Sequence, residues 1–161
     1  MTGVDLRPAT PADEPFLRSL MIGAMADELG AWAWPPAIRA DLLQKQYHGR
    51  DSAMRSTWRD LDDRLILLEG QPVGRIALAR TADELWVVDL LVVPERRNGG
   101  VGTAVLRNVL GEAKRLGKPV RLHVNITHRA ARFYERLGFV KAGGSEVHQL
   151  MEWTPVQYAS A

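Results

Sequence analysis

The sequence predicts one α/β (α+β) domain with a central sheet of about six to seven strands flanked by about four helices. Three observations carry that reading. Apolar runs of strand length alternate with segments whose apolar residues recur at helical spacing. At 161 residues the chain has room for one core, and a domain of that size buries roughly 70% of its unfolded surface. The 46% apolar and 25% charged fractions are those of an ordinary globular chain, and no repeat, linker or low-complexity tract divides it. A single domain over residues 1–161 is the expectation.

The same numbers exclude several functions. Twenty-one Lys and Arg against 19 acids leave a net charge of +2, too even for broad binding to nucleic acid or a membrane surface. No cysteine is present, which removes disulfides, thiol nucleophiles and thiolate metal sites, and no metal is expected. Met1-Thr2-Gly3-Val4-Asp5 has neither a basic nor an apolar signal region. The most apolar stretch, Leu85 to Val93, is too short to span a bilayer and carries Asp89, so the expected compartment is the cytoplasm.

In chain order, Val4 to Pro8 predicts a short strand. Thr10-Pro11-Ala12-Asp13 reads as a helix start, with a hydroxyl N-cap, a proline at the first position and an acid three residues on. Phe16, Leu17, Leu20, Met21, Ala24 and Met25 then share one helical face. Gly30 and Pro35-Pro36 break the chain around Trp32 and Trp34. A second helical region is expected from Ala37 to Asp60, interrupted near Gly49. Leu65 to Leu68 and Val73 to Ala79 flank Gly70-Gln71 as a hairpin. Leu85 to Val93 has the pattern of a strand covered on both faces. Gly100 to Arg115 is helical and stops at Gly117-Lys118-Pro119. Val120 to Val124 is a strand, Arg129 to Leu137 a short helix, and Phe139 to Ala142 and Glu146 to Trp153 are the last strands, before a frayed end.

Between the covered strand and its following helix lies Glu95-Arg96-Arg97-Asn98-Gly99-Gly100-Val101-Gly102-Thr103. The first amides of a helix lack intrahelical partners and sit at the positive end of its dipole. Glycines let the main chain approach an anion, and Arg96, Arg97 and the Thr103 hydroxyl add polar contacts. This is a phosphate-binding design. A Walker loop would need Gly-Lys-Ser/Thr after four intervening residues, and a Rossmann site G-x-G-x-x-G in its first βαβ unit with an acid roughly 20 residues on. Neither spacing matches. The plainer alternative is a loop that merely turns the chain.

Arg97-x-x-Gly100-x-Gly102 resembles the Q/R-x-x-G-x-G/A signature of the GNAT superfamily of N-acetyltransferases. Ala130-Ala131-Arg132-Phe133-Tyr134-Glu135-Arg136-Leu137-Gly138-Phe139 is similar to that family's second signature, A-x-x-L/F-Y-x-x-x-G-F, in the family's order and spacing. The resemblance covers Val4 to Trp153, with Asp89 to Phe139 its diagnostic part. It implies a mixed, mostly antiparallel sheet and acetyl-CoA as acyl donor. The amides of Arg97, Asn98, Gly99, Gly100, Val101, Gly102 and Thr103 would hold the pyrophosphate. Leu91, Val92 and Val93 would offer backbone partners to the pantetheine, with further contacts from Asn125, Ala130, Phe133 and Tyr134. The sequence departs from the family just upstream of Ala130, where Thr127 and His128 stand in place of the usual asparagine; Asn125 or His128 are the candidate substitutes.

The resemblance also implies a mechanism in which an amine attacks the thioester directly. Tyr134, a phenol with an ordinary pKa of about 10, is the candidate acid toward the leaving sulfur, whose thiol has a pKa of about 8.5. Packing beside Phe133 and Leu137 is its structural alternative. An amine of pKa about 10.4 is almost wholly protonated at pH 7, a deficit of roughly 4.6 kcal/mol, so a base or desolvation is needed. Asp89 on its apolar strand is the candidate base, against the alternative of a carboxylate paired with an arginine or an amide; His123 and His128 are secondary candidates. Trp32 and Trp34 are candidate walls of the acceptor pocket or else core plugs, and Asp27 and Glu28 could attract a cation. The expected partner is a small-molecule or peptide amine. Dimers are common in that family, and nothing in this chain decides for a homodimer. A non-catalytic acyl-CoA-binding module is the rival reading, which retention of Tyr134 disfavours.

Overall fold

The computed structural model describes residues 3–125, 128–145 and 148–155, with the backbone alone at 125, 128 and 129. Within them lie seven strands: β1 (Val4–Pro8), β2 (Asp62–Leu68), β3 (Gln71–Arg80), β4 (Leu85–Val92), β5 (Val120–Asn125), β6 (Val140–Gly144) and β7 (His148–Trp153). They form one sheet in the order β1-β2-β3-β4-β5-β7-β6, antiparallel throughout except for the parallel pair β4 and β5. Four α-helices flank it: α1 (Glu14–Leu29), α2 (Pro36–Thr57), α3 (Val101–Leu116) and α4 (His128–Arg136). None of the described helices is long and apolar enough to cross a membrane.

Local chemistry accounts for most boundaries. The Thr10 amide donates to the Asp13 carboxylate at 2.8 Å, and both terminal nitrogens of Arg7 donate to the same group at 2.8 and 2.9 Å. The Arg7 guanidinium, with the Thr10 amide, holds the Asp13 carboxyl well below the usual carboxylate range. The β2–β3 hairpin turns on Glu69 and Gly70, both with positive φ, as a tight two-residue loop requires. One expectation fails. Gly49 does not interrupt the second helix, which runs through it for 22 residues. A helix-interior glycine costs only about 0.5–1 kcal/mol, and burial of Leu43 and Tyr47 against α1 outweighs that. The expected strand from Glu146 begins at His148; Glu146, Val147 and the last six residues lie outside the described ones.

Two apolar layers sandwich the sheet. One face packs on α3 and α4 through Leu85, Val87, Leu106, Val109, Phe139 and Met151, and the other on α1 and α2 through Met21, Met25, Leu43, Tyr47 and Leu91. β4 serves both layers. In the β3–β4 ladder Leu78 faces Val87 and Ala77 faces Asp89, so Val88 is a bulged residue without a partner. Because side chains alternate faces along a strand, one extra residue reverses the alternation. Leu85 and Val87 therefore pack toward α3, while Val88, Asp89 and Leu91 line the α1–α2 side.

Candidate active site

β4 and β5 are in register only at Leu85–Val120 and Trp86–Arg121. Beyond that β4 keeps pairing with β3, while β5 pairs along its whole length with β7, so the two parallel strands part toward their C-terminal ends. The chain leaves this opening through a single 3₁₀ turn, Pro94–Arg96, and enters the glycine turn. Asn98 and Gly100 both have positive φ, at 63° and 86°, conformations that asparagine and glycine tolerate. Gly100 is the N-cap of α3 and no side chain caps that helix. The amides of its first turn thus face outward without intrahelical partners. The Arg97 side chain turns back: its Nε donates to the Val92 carbonyl at 3.2 Å and its Nη1 lies 3.4 Å from Asp27 of α1.

Across the opening stands α4. A Cβ on Gly102 would lie 3.2 Å from the tip of the Phe133 ring, so the small residue in the first turn of α3 is what lets Phe133 of α4 close against it. The Gly138-Phe139 end of the second signature has an equally local reason. Gly138, at φ 99°, reverses the chain so that the Phe139 amide donates to the Tyr134 carbonyl at 3.1 Å. The Phe139 ring then meets the Tyr134 ring edge-on, with centroids 5.6 Å apart. Tyr134 is clamped between Phe133 and Phe139, and its hydroxyl accepts and donates no hydrogen bond among the described residues. Burial, reinforced by the charge of Asp89, pushes the phenol up to about 12.

Asp89 owes its environment to the bulge. It lies 3.3 Å from Nη1 of Arg75, whose side chain is 1% exposed and which also donates to Asp63 at 2.7 and 3.0 Å. The Arg75 Nη1 further contacts the Met21 sulfur at 3.0 Å. One guanidinium therefore serves two carboxylates, and Asp63 takes the better share. Asp89 opens onto a cavity of about 390 Å³ between α1, α2 and β4. Desolvation raises the Asp89 carboxyl above its ordinary value despite Arg75. The folded state thus binds this proton more tightly than the unfolded chain, and stability falls as pH rises from about 4 through the raised value. Asp89→Asn is accordingly expected to raise Tm at pH 7 and to lose that advantage below about pH 4, as thermal unfolding across pH will report.

Residues 62–141 match the family model described as the acetyltransferase (GNAT) domain, a stretch that holds both signatures, the bulge and the parted strands. The chain belongs to the GNAT acetyltransferases. Several solved structures share the fold. The PaiA N-acetyltransferase of Thermoplasma acidophilum, in complex with coenzyme A, aligns with a TM-score of 0.71 at 18% identity over 94% of this chain and 98% of its own. An acetyltransferase from Thermus thermophilus gives 0.68 at 18% identity over 94% and 96%. The ribosomal-protein-S18-alanine N-acetyltransferase of Escherichia coli gives 0.63 at 18% identity over 98% of each. A search of curated proteins finds no match.

In this GNAT domain the sequence candidates fall into three groups. Phe133 stands against Gly102 of the Arg97–Thr103 turn, and Tyr134 is close enough to Asp89 to feel its charge. Leu91 and Val92 lie on the β4 edge of the opening, although the Val92 carbonyl already accepts from Arg97 and the Val93 amide donates to Val73 at 2.8 Å. Ala130 packs into the α3–α4 core, while the side chains of Asn125 and His128, and Thr127 altogether, lie outside the described residues. Trp32 and Trp34 do not line the cavity. Trp32 is 58% exposed, donates to Asp27 at 2.6 Å and lies under the Arg39 guanidinium; Trp34 packs on the α1–α2 cluster. His123, on the exposed face of β5, stacks on Trp86 at 5.5 Å. The sequence reading missed Arg75 and Asp63, whose only signal was a charge on an apolar strand. It also missed Met21, Met25, Met54 and Trp58 as cavity walls, because helical methionines read as core.

Proposed function

We propose that this GNAT domain transfers an acetyl group from acetyl-CoA to a primary amine. The observation that carries the reading is the parting of β4 from β5 at the end where the uncapped N-terminus of α3 begins. An extended pantetheine needs unpaired strand edges, and a pyrophosphate needs outward-facing amides; the two are adjacent here. The coenzyme A bound to the Thermoplasma acidophilum structure of the same fold supports the assignment. Gly99 and Gly100 leave the α3 N-terminus open to phosphate oxygens, with Arg96 and Arg97 supplying positive charge.

Asp89 takes the proton that the incoming ammonium must lose. Its raised affinity for a proton, a consequence of burial, brings it closer to that task than an exposed carboxylate. Tyr134 acts at the leaving sulfur. With its pKa at about 12 the phenol is a weaker acid than a thiol of about 8.5, so it steadies the departing sulfur by a hydrogen bond rather than by giving up its proton outright. Asp89→Asn is expected to lower kcat/KM by about 100-fold and to abolish the acidic limb of its pH profile.

Calorimetry with acetyl-CoA tests the donor. Saturable binding is expected, and Gly100→Val, which forces a β-branched residue to a φ of 86°, is expected to weaken it about tenfold. No heat and no saturation at millimolar ligand would remove the donor assignment. Release of CoA in the presence of amines, followed with a thiol reagent, tests the transfer, and the cysteine-free chain contributes no background. Tight binding without release by any amine would favour the non-catalytic acyl-CoA-binding module.

A further inference from the structure

The cavity behind Asp89 has a chemistry that selects among amines. Its walls are thioether and aromatic: Met21 and Met25 from α1, Met54 from α2, and Trp58 just beyond α2. Methionine side chains are unbranched, adaptable and polarizable, the surface that accommodates a linear or flat apolar group. Trp58 continues outward as an aromatic strip, 5.6 Å from Trp86, which in turn stacks on His123.

Charge in the cavity is balanced and local. Asp89 at the inner end is backed by Arg75 at 3.3 Å. At the rim, Arg50 of α2 donates to both oxygens of Glu28 of α1, at 3.1 and 3.4 Å. Each acid thus has an arginine against it. With Glu28 held by Arg50, Asp89, which shares Arg75 with Asp63, is the one carboxylate that faces the interior, a site for a single ammonium group. The volume of about 390 Å³ also sits near the small end of the roughly 300–1,000 Å³ typical of ligand pockets.

Resting on the donor assignment above, we propose that the acceptor is a small primary monoamine on an apolar linear or arylalkyl stem, bound with its nitrogen toward Asp89 and its stem along Met21, Met54 and Trp58. Such a site favours a monoamine with an apolar stem over a polyamine or a peptide N-terminus, because its walls offer apolar contact along Met21, Met54 and Trp58 and one inward-facing carboxylate. In the transfer, the ammonium gives one proton to Asp89, the nitrogen forms a bond to the acetyl carbon, and the carbon–sulfur bond breaks with its electron pair going to sulfur. The nitrogen loses a second proton as the amide forms. One proton ends on the CoA thiol and one reaches solvent.

Titration calorimetry with n-hexylamine, spermidine and an alanine-headed hexapeptide tests this, each run on the full chain alone and again with saturating CoA. Hexylamine is expected to bind at least about tenfold tighter than either comparator. Across butylamine, pentylamine and hexylamine, each added methylene should tighten binding about threefold to fourfold. Ala24→Leu and Ala53→Leu, each filling the cavity with a good helix former, are expected to weaken hexylamine about tenfold without changing Tm or CoA affinity. Preference for spermidine or the peptide, affinity independent of chain length, or no amine binding in either state would overturn the proposal. Hexylamine binding without CoA binding would leave the amine cavity standing and remove the donor assignment, so the two failures separate.

Discussion

Tyr134→Phe is expected to lower kcat by about 100- to 1,000-fold while leaving the acetyl-CoA dissociation constant within about threefold. The substitution removes one oxygen and keeps the ring that Phe133 and Phe139 clamp, so fold and groove survive. What disappears is a hydrogen-bond donor that no described residue already occupies and that stays protonated because burial and Asp89 push the phenol up to about 12. Wild-type rates should therefore show no basic limb from Tyr134 below about pH 10, the ordinary phenol value. A Phe variant with wild-type kcat would refute the role; one that lost acetyl-CoA binding in proportion would make Tyr134 a groove wall. Pre-steady-state acetyl transfer with hexylamine, alongside calorimetry, separates the cases.

Arg75→Met is expected to destabilise the protein by about 3–5 kcal/mol, because a buried charge network loses one member and keeps the others. For a chain of this length that amounts to a fall in Tm of roughly 10 °C. Arg75 is 1% exposed and bridges Asp63 of β2 to Asp89 of β4 across β3. Methionine matches the stem and fits among Met21 and Met54, so the loss reports Asp89 left without its arginine, and Asp63 left with Arg55 alone, rather than a hole. Adding Asp89→Asn to Arg75→Met should restore more than half of the lost stability, because Asp63 keeps Arg55 at 3.3 Å whereas Asp89 has Arg75 as its ion-pair partner, and a double-mutant cycle by urea denaturation measures that coupling. A cost under about 1 kcal/mol for Arg75→Met would show that the ion network carries little.

Much of the proposed donor side rests on segments legible in the sequence because their chemistry is local. A glycine that must take positive φ, a helix start without a capping side chain and a tyrosine five residues before a phenylalanine that returns to meet it are properties of short segments. Gly100 and Gly102 could therefore be picked out from the turn itself, and Tyr134 and Gly138 from the resemblance of their segment to the family's second signature. The strands and helices followed from periodicity for the same reason. Gly49 was the exception, because its local preference was overruled by long-range packing of α2 on α1.

The cavity proposed for the acceptor was decided only in three dimensions. By simple alternation Asp89 would share a face with Leu85 and Val87 and lie under α3; the unpaired Val88, visible only in the β3–β4 register, turns it to the other side. Arg75 and Asp63 come from strands that pair across a hairpin, and their competition for one guanidinium depends on distances that no pattern encodes. The methionines and Trp58 face a cavity rather than a filled core because α1 and α2 stand apart over β4. Residue type and spacing determine what a segment can bind. Which segments meet, and which carboxylate is left short of a partner, is determined by packing.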